Sequence, residues 1–206
     1  MVAILKSAGR QRRPPLRRVI VSNLTSLDGF IAGPKGELGW FVQEGFLTKT
    51  EYGEYAREFN STIGGILLGR KTYEDWVGYW PDATDNDPFI TERTNNLPKY
   101  VFSTTLDKVG WGKWNNAYLL KGDAGEEVKR LKSQPGKDLA IFGSGTLVSS
   151  LTKLGLIDEY QITIQPVILG AGLSQFKDLG RWLRLRLVKL RQLREGAVVL
   201  YYQPVA

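Results

Sequence analysis

The 206-residue sequence predicts an α/β fold: three layers, α/β/α, built on a mostly parallel mixed sheet that closes with a C-terminal antiparallel hairpin. Three observations predict it. Apolar strand segments alternate with helical segments over most of the chain, the pattern of a parallel sheet covered on both faces. Ile66-Leu67-Leu68 is a short continuous apolar run, which suits a strand buried on both sides. Near the end, Leu183, Leu185 and Leu187 alternate with Arg184 and Arg186, a period of two. A Glu195-Gly196 turn and a partner strand over Ala197–Tyr202 complete the hairpin.

Taken in order, the first strand is expected over Arg18–Leu27, rich in β-branched residues, with Asp28-Gly29 as the turn that ends it. Phe30-Ile31-Ala32 continues briefly to a second turn cluster, Gly33-Pro34-Lys35-Gly36. Thr50–Asn60 places Tyr52, Tyr55, Ala56 and Phe59 on one helical face. Gly64-Gly65 is read as the breaker of that helix, and Gly69 leads the next strand into a helix over Arg70–Trp76. Pro81–Pro98, polar and rich in Asp, Asn and Thr, reads as a long surface loop. Strands follow at Tyr100–Ser103 and Ala117–Leu120, then a helix over Gly125–Ser133. Asp138–Phe142 is a strand that stops at Gly143-Ser144-Gly145, and Thr146–Leu154 is a helix with Thr146 as its cap. Tyr160–Ile168 is the last strand before the hairpin. Residues 17–206 form one domain, preceded by a basic tail over residues 1–16.

Composition narrows the chemistry. A hydrophobic fraction of 42% with 24% charged residues is ordinary for a globular chain, and this length buries a full core without staples. Cys and His are both absent. Their absence excludes disulfides, thiolate nucleophiles, an imidazole base and nearly every zinc site, so no metal is expected. Any proton must move through Asp, Glu, Lys, Tyr or water. The formal charge of +7 suggests nucleic acid until it is located. Lys6, Arg10, Arg12, Arg13, Arg17 and Arg18 carry six cations without an acid, and the remainder holds 22 basic against 21 acidic residues. The excess is read as a solvated, disordered extension, and no nucleic-acid partner is assigned. No apolar run approaches the ~20 residues that span a bilayer, and no secretory apolar region is found. No membrane partner is assigned, and the expected location is the cytoplasm.

Two segments share one design: apolar strand, glycine, small polar residues, helix. They are Ile66-Leu-Leu-Gly-Arg-Lys-Thr-Tyr73 and Ala140-Ile-Phe-Gly-Ser-Gly-Thr-Leu147. A helix start presents unpaired N–H groups and the positive end of a dipole, so it attracts phosphate. Glycine lets the phosphate approach the backbone closely. Arg70 and Lys71 add full charges, and Arg grips a phosphate bidentately. One such turn is more often a plain strand–helix connection; two, with two cations, point to a dinucleotide. Gly143-Ser-Gly145 lacks the third glycine of the Rossmann fingerprint.

Five segments in order carry a resemblance: Ser26-Leu-Asp-Gly-Phe-Ile-Ala-Gly33, Leu68-Gly-Arg-Lys-Thr-Tyr73, Val101-Phe-Ser-Thr104, Phe142-Gly-Ser-Gly-Thr146 and Ile164-Gln-Pro-Val-Ile-Leu-Gly-Ala-Gly172. The chain resembles the dihydrofolate-reductase-like superfamily, and within it the branch typified by the reductase domain of bacterial riboflavin biosynthesis. The resemblance implies NADPH as cofactor, a small-molecule substrate and a homodimer. It implies that Arg70 meets the 2′-phosphate, with Gly69, Lys71 and Thr72 at the pyrophosphate, and that Ser103 and Thr104 flank the adenosine. Gly143, Ser144, Gly145 and Thr146 would cradle the pyrophosphate, and backbone groups at Asn23 and Leu24 would meet the nicotinamide. Asn23, Ser26 and Asp28 would border the substrate, although Asp28-Gly29 serves equally as a simple turn.

The substrate side departs from that pattern. Folate reductases place a carboxylate on the first helix; an ungapped count back from Gly69 puts Gly53 there, with Glu54 the nearest acid and a solvated helix face its plainer role. Trp40 is a candidate lining residue, or a core aromatic. Trp76, Tyr79 and Trp80 read as core packing, with a dimer interface as the alternative. Arg181, Arg184 and Arg186 read as a solvated stripe. The expected function is NADPH-dependent hydride transfer to a small heterocyclic or carbonyl substrate, of ribosylaminopyrimidine or pterin type. The alternatives are a non-catalytic NADPH-binding or sensing protein and, third, nucleic-acid binding through residues 1–18.

Overall fold

The computed structural model describes residues 16–41 and 46–205. Strand β1 (Val19–Thr25) lies near the middle of an eight-stranded sheet, buried along its whole length apart from Leu24. After a short strand β2 (Phe30–Ala32), helix α1 (Glu51–Thr62) runs straight into β3 (Ile63–Gly69), which feeds helix α2 (Arg70–Val77). A 3₁₀ turn at Trp80–Asp82 and helix α3 (Pro88–Asn96) precede β4 (Lys99–Phe102) and β5 (Ala117–Leu120). Helix α4 (Ala124–Lys132), β6 (Asp138–Ile141), helix α5 (Gly145–Lys153) and β7 (Glu159–Ile164) follow, then a two-residue β8 (Leu173–Ser174). The chain closes with β9 (Leu185–Gln192) and β10 (Val198–Pro204).

The sheet order is β5-β4-β3-β6-β1-β7-β10-β9. Every pairing from β5 to β7 is parallel, whereas β10 runs antiparallel to both β7 and β9. Strands β2 and β8 form a separate antiparallel pair. Side chains alternate across the sheet: Ile66 and Leu68 join one core with Tyr55, Phe59 and Ile90, while Leu67 joins the other with Val128, Val148 and Leu151. Helices α1 and α3 therefore cover one face and α4 and α5 the other, the three layers expected.

Four expectations need correction. Pro81–Pro98 is not a loop. Asp87 caps α3 by accepting the Ile90 amide at 3.0 Å, and Pro88 stands at its first position, where a missing N–H costs nothing. Gly64 and Gly65 do not break a helix; they lie inside β3, where a Cβ on Gly65 would come within 3.0 Å of Leu139 and 3.1 Å of Tyr100. Strand β7 ends at Ile164 rather than Ile168, because Pro166 has no amide to donate and Val167 turns back to donate its own to the Gln165 carbonyl at 2.8 Å. Helix α5 begins at Gly145, and the residue before it is Ser144 in a left-handed conformation, so Thr146 is not the cap. Of the basic N-terminal stretch, Arg17 and Arg18 belong to the fold: Arg17 is buried against the Lys137 carbonyl, and Arg18 pairs with Asp138 and Glu159. Of the tail expected over residues 1–16, residues 1–15 lie outside the described residues.

Candidate cofactor site

The carboxyl ends of β3 and β6 are neighbours, so the two glycine turns meet. Ser144 joins them. Its Oγ accepts the Gly69 amide at 2.9 Å and donates to Thr72 Oγ1 at 3.0 Å, and its own amide donates to Thr72 Oγ1 at 3.1 Å. Glycine is required at one of these positions. Gly143 has φ 55°, and a Cβ on it would crowd Thr72 Oγ1 at 3.1 Å. On the other side, β1 contributes Asn23, whose Oδ1 accepts the Gly143 amide at 2.6 Å while Nδ2 donates to the Gly143 carbonyl at 2.9 Å.

Helices α2 and α5 differ from the other three. Thr50, Asp87 and Asp123 cap α1, α3 and α4 by accepting an amide of the first turn. Neither α2 nor α5 has a side-chain cap, and neither carries an acid in its first turn. Their first amides therefore have no side-chain acceptor at the cap, and because β3 and β6 are neighbours the positive ends of the two dipoles lie close together, an arrangement that suits an anion. Arg70 and Lys71 stand at the start of α2, where Arg70 pairs with Glu74 at 2.9 Å and Lys71 with Asp75 at 2.8 Å. Both pairs are solvent-exposed and so are worth little, which leaves the cations exchangeable for a phosphate.

The remaining expected residues extend this edge. Ser103 and Thr104 follow β4, next to β3, and Ser103 Oγ accepts the amides of Thr105 and Leu106 at 3.2 and 3.1 Å. Asn23 and Leu24 end β1, next to β6. The strand order β4-β3-β6-β1 thus sets Ser103, Gly69–Thr72, Gly143–Thr146 and Asn23–Leu24 in a row about 14 Å long at the sheet's spacing. Ser26 and Asp28 lie in the turn beyond β1. Ser26 is buried and its Oγ accepts the Phe30 amide, while Asp28 accepts the amides of Leu169 and Gly170 at 3.1 and 2.8 Å. The Ser26 hydroxyl and these two amides hold the Asp28 carboxyl below its usual range.

Glu54 is not brought to this cluster. It faces outward with Glu51 and Glu58 in a network with Arg191 and Arg194. At Gly53 no side chain fits, because a Cβ would collide with the Leu47 carbonyl. Trp40 packs edge-on against Phe41 at 4.6 Å, and its Nε1 is buried with no partner among the described residues. The face beside Gly143 is aromatic: half-buried Phe142 lies between Phe59 at 5.9 Å and Trp76 at 5.3 Å. Trp80 is core, with Tyr79 against its edge. One residue with no sequence signal enters the cluster. Gln175, just after β8, accepts Asn23 Nδ2 through its Oε1 at 2.9 Å.

The match that decides the family covers this whole region: the RibD C-terminal domain family matches residues 17–199. The chain belongs to the RibD C-terminal domain family. It is 33% identical over 188 residues to the uncharacterised protein YyaP of Bacillus subtilis, covering 90% of this chain and 94% of that one. Among solved structures, a candidate riboflavin biosynthesis protein from Shewanella sp. PV-4 superposes with a TM-score of 0.70 at 25% identity, covering 92% of this chain and 99% of its own. Dihydrofolate reductase from Enterococcus faecalis, complexed with NADP(H), superposes with a TM-score of 0.61 at 13% identity over 92% of this chain and 97% of that one. The RibD C-terminal domain of this chain therefore has the dihydrofolate-reductase-like fold, with β10 and β9 as its antiparallel edge. No helix among the described residues is long and apolar enough to cross a membrane.

Proposed function

We propose that this RibD C-terminal domain is a cytoplasmic NADPH-dependent reductase that holds the dinucleotide across the carboxyl ends of β4, β3, β6 and β1. The pair of adjacent, uncapped helix starts carries the proposal, because three other helices of the same chain are capped and these two are not. The site suits the cofactor in other respects. Gly69 and Gly143 let the two turns pack against each other through Ser144 and Thr72, and no acid in either first turn opposes a phosphate. The strand order also lines these residues up in the sequence the resemblance assigns to the dinucleotide's parts, from adenosine at Ser103 and Thr104 to nicotinamide at Asn23 and Leu24, which supports the reading. Open α/β sheets bind ligands beyond the carboxyl ends of their strands.

When bound, NADPH supplies a hydride. The chain's own residues bind and orient: Arg70 meets the 2′-phosphate, the first amides of α2 and α5 hold the pyrophosphate, and the end of β1 aligns the nicotinamide half beside the acceptor. Catalysis then comes from alignment and a dry pocket, with water as the proton source. The acceptor is a small heterocyclic or carbonyl compound, of ribosylaminopyrimidine or pterin type. The aromatic faces of Phe59, Phe142 and Trp76 support a planar one. A homodimer belongs to the same proposal, supported by Leu187, Val188 and Leu190, all exposed on edge strand β9; a monomeric mass by sedimentation would contradict it.

Equilibrium titration tests the cofactor. Wild type should prefer NADPH to NADH, and Arg70→Ala should weaken NADPH by roughly ten- to a hundredfold, the range for a charged hydrogen bond, with little change for NADH. Failure of both nucleotides to bind at micromolar levels, or an Arg70→Ala variant with its preference intact, sinks the proposal. The second reading, a non-catalytic NADPH-binding or sensing protein, is favoured by one observation. The three acids of α1 are all engaged by Arg191 or Arg194, and none is turned to the aromatic face. Saturable NADPH binding without turnover of pterins, flavin precursors or quinones would select it.

A further inference from the structure

The Gly143 turn is conformationally demanding. Gly143 and Ser144 are successive residues in the left-handed region, with φ of 55° and 53°. Glycine accepts that region freely, but serine does not, so the turn persists only where neighbours hold it. Thr72 holds it from α2 and Asn23 from β1. The Asn23 carboxamide has one acceptor atom and two donor hydrogens, and all are committed. Oδ1 takes the Gly143 amide, while Nδ2 serves the Gly143 carbonyl and Gln175 Oε1. A flipped Asn23 would set its own NH₂ against the Gly143 N–H and its oxygen against Gln175 Oε1, so both neighbours favour the one orientation that grips the turn.

Gln175 itself is 3% exposed, and its Nε2 is buried with no partner among the described residues. A buried donor with no acceptor is a cost. A methionine would fill similar space without it, so packing alone does not account for glutamine here. What glutamine supplies and methionine lacks is the acceptor for Asn23.

We propose that Gln175 is a positioning residue for the pyrophosphate–nicotinamide half of the cofactor: it fixes Asn23, which fixes the Gly143 turn and the amides that open α5. This role rests on the NADPH proposal above. The Arg70 guanidinium pairs with Glu74 and makes no bond to Gln175, Asn23 or Gly143, which gives the test its contrast.

The experiment measures NADPH and adenosine 2′,5′-bisphosphate affinities of wild type, Gln175→Met, Asn23→Ala and the double variant. The bisphosphate carries only the adenosine end, and its binding also reports that each variant is folded. Gln175→Met should weaken NADPH roughly three- to tenfold, the worth of one neutral hydrogen bond, and leave the bisphosphate unchanged. In the Asn23→Ala background it should add no further loss, because its partner is already gone. Unchanged NADPH affinity in Gln175→Met overturns the role. So do equal losses for both ligands, and so do additive losses in the double variant. Wild type that binds the bisphosphate but not NADPH overturns the role as well, and wild type that binds neither overturns the cofactor proposal beneath it.

Discussion

At Lys99 a cation is enclosed where β4 meets α3. Its ammonium has no solvent-exposed surface; it donates to the Asn95 carbonyl at 2.6 Å and to Asn116 Oδ1 at 3.0 Å, and sits 4.2 Å above the Trp111 ring. Desolvation pushes its pKa down to about 7. The unfolded chain keeps this lysine protonated up to about pH 10.4. Between about pH 7 and pH 10 the unfolded state therefore binds more protons, and Lys99 makes stability rise with pH by at most ~1.4 kcal/mol per unit. Denaturant unfolding at pH 7, 8 and 9 should show that rise in wild type and a flatter profile in Lys99→Met. A profile equal in both would show that Lys99 keeps its charge on folding. The same scale shows what the sequence could not disclose. Gly53 marks the absence of a carboxylate plainly, but its cause, the Leu47 carbonyl against it, is visible only in three dimensions. Gln175 and Asn23 stand 152 residues apart, and no local pattern announces a lone glutamine after a glycine-rich loop.

At the scale of elements, α3 is held by two terms at one residue. Asp87 accepts the Ile90 amide as the helix cap and accepts both hydrogen bonds from Arg57 of α1 at 2.7 Å. Asp87→Ala should cost about 1–2 kcal/mol by denaturant unfolding, most of it the cap. The Arg57 pair is half-exposed and adds less. A loss below a few tenths would mean that α3 does not depend on its cap. This helix was hidden in the sequence because Asp87-Pro88 carries the composition of a loop, although the same dipeptide is a good cap and first position. The α5 start misled differently. Thr146 stands where a cap is expected, but the hydroxyl that matters is on Ser144, and it is spent on Gly69, 75 residues away. By contrast, the strands and the two glycine turns were legible because their signals are contiguous: an apolar run, a glycine and a helix start lie within eight residues.

Over the whole molecule, topology turns separate turns into one site. The sequence shows that the glycine turns share a design, but not that they touch. Only the order β4-β3-β6-β1 makes them adjacent and places Asn23 and Ser103 on either side. The closing hairpin, by comparison, was readable from its period of two. The central claim is that a dinucleotide lies along this edge with its phosphates on the starts of α2 and α5. Backbone amide NMR during NADPH titration tests it most directly. Saturable shifts should be largest at the amides of residues 70–72 and 145–147, with a second group at Asn23 and Leu24. The absence of saturable shifts, or their concentration elsewhere, such as the cleft of about 470 Å³ beside α3 lined by Thr91, Asn95 and Trp114, would contradict it.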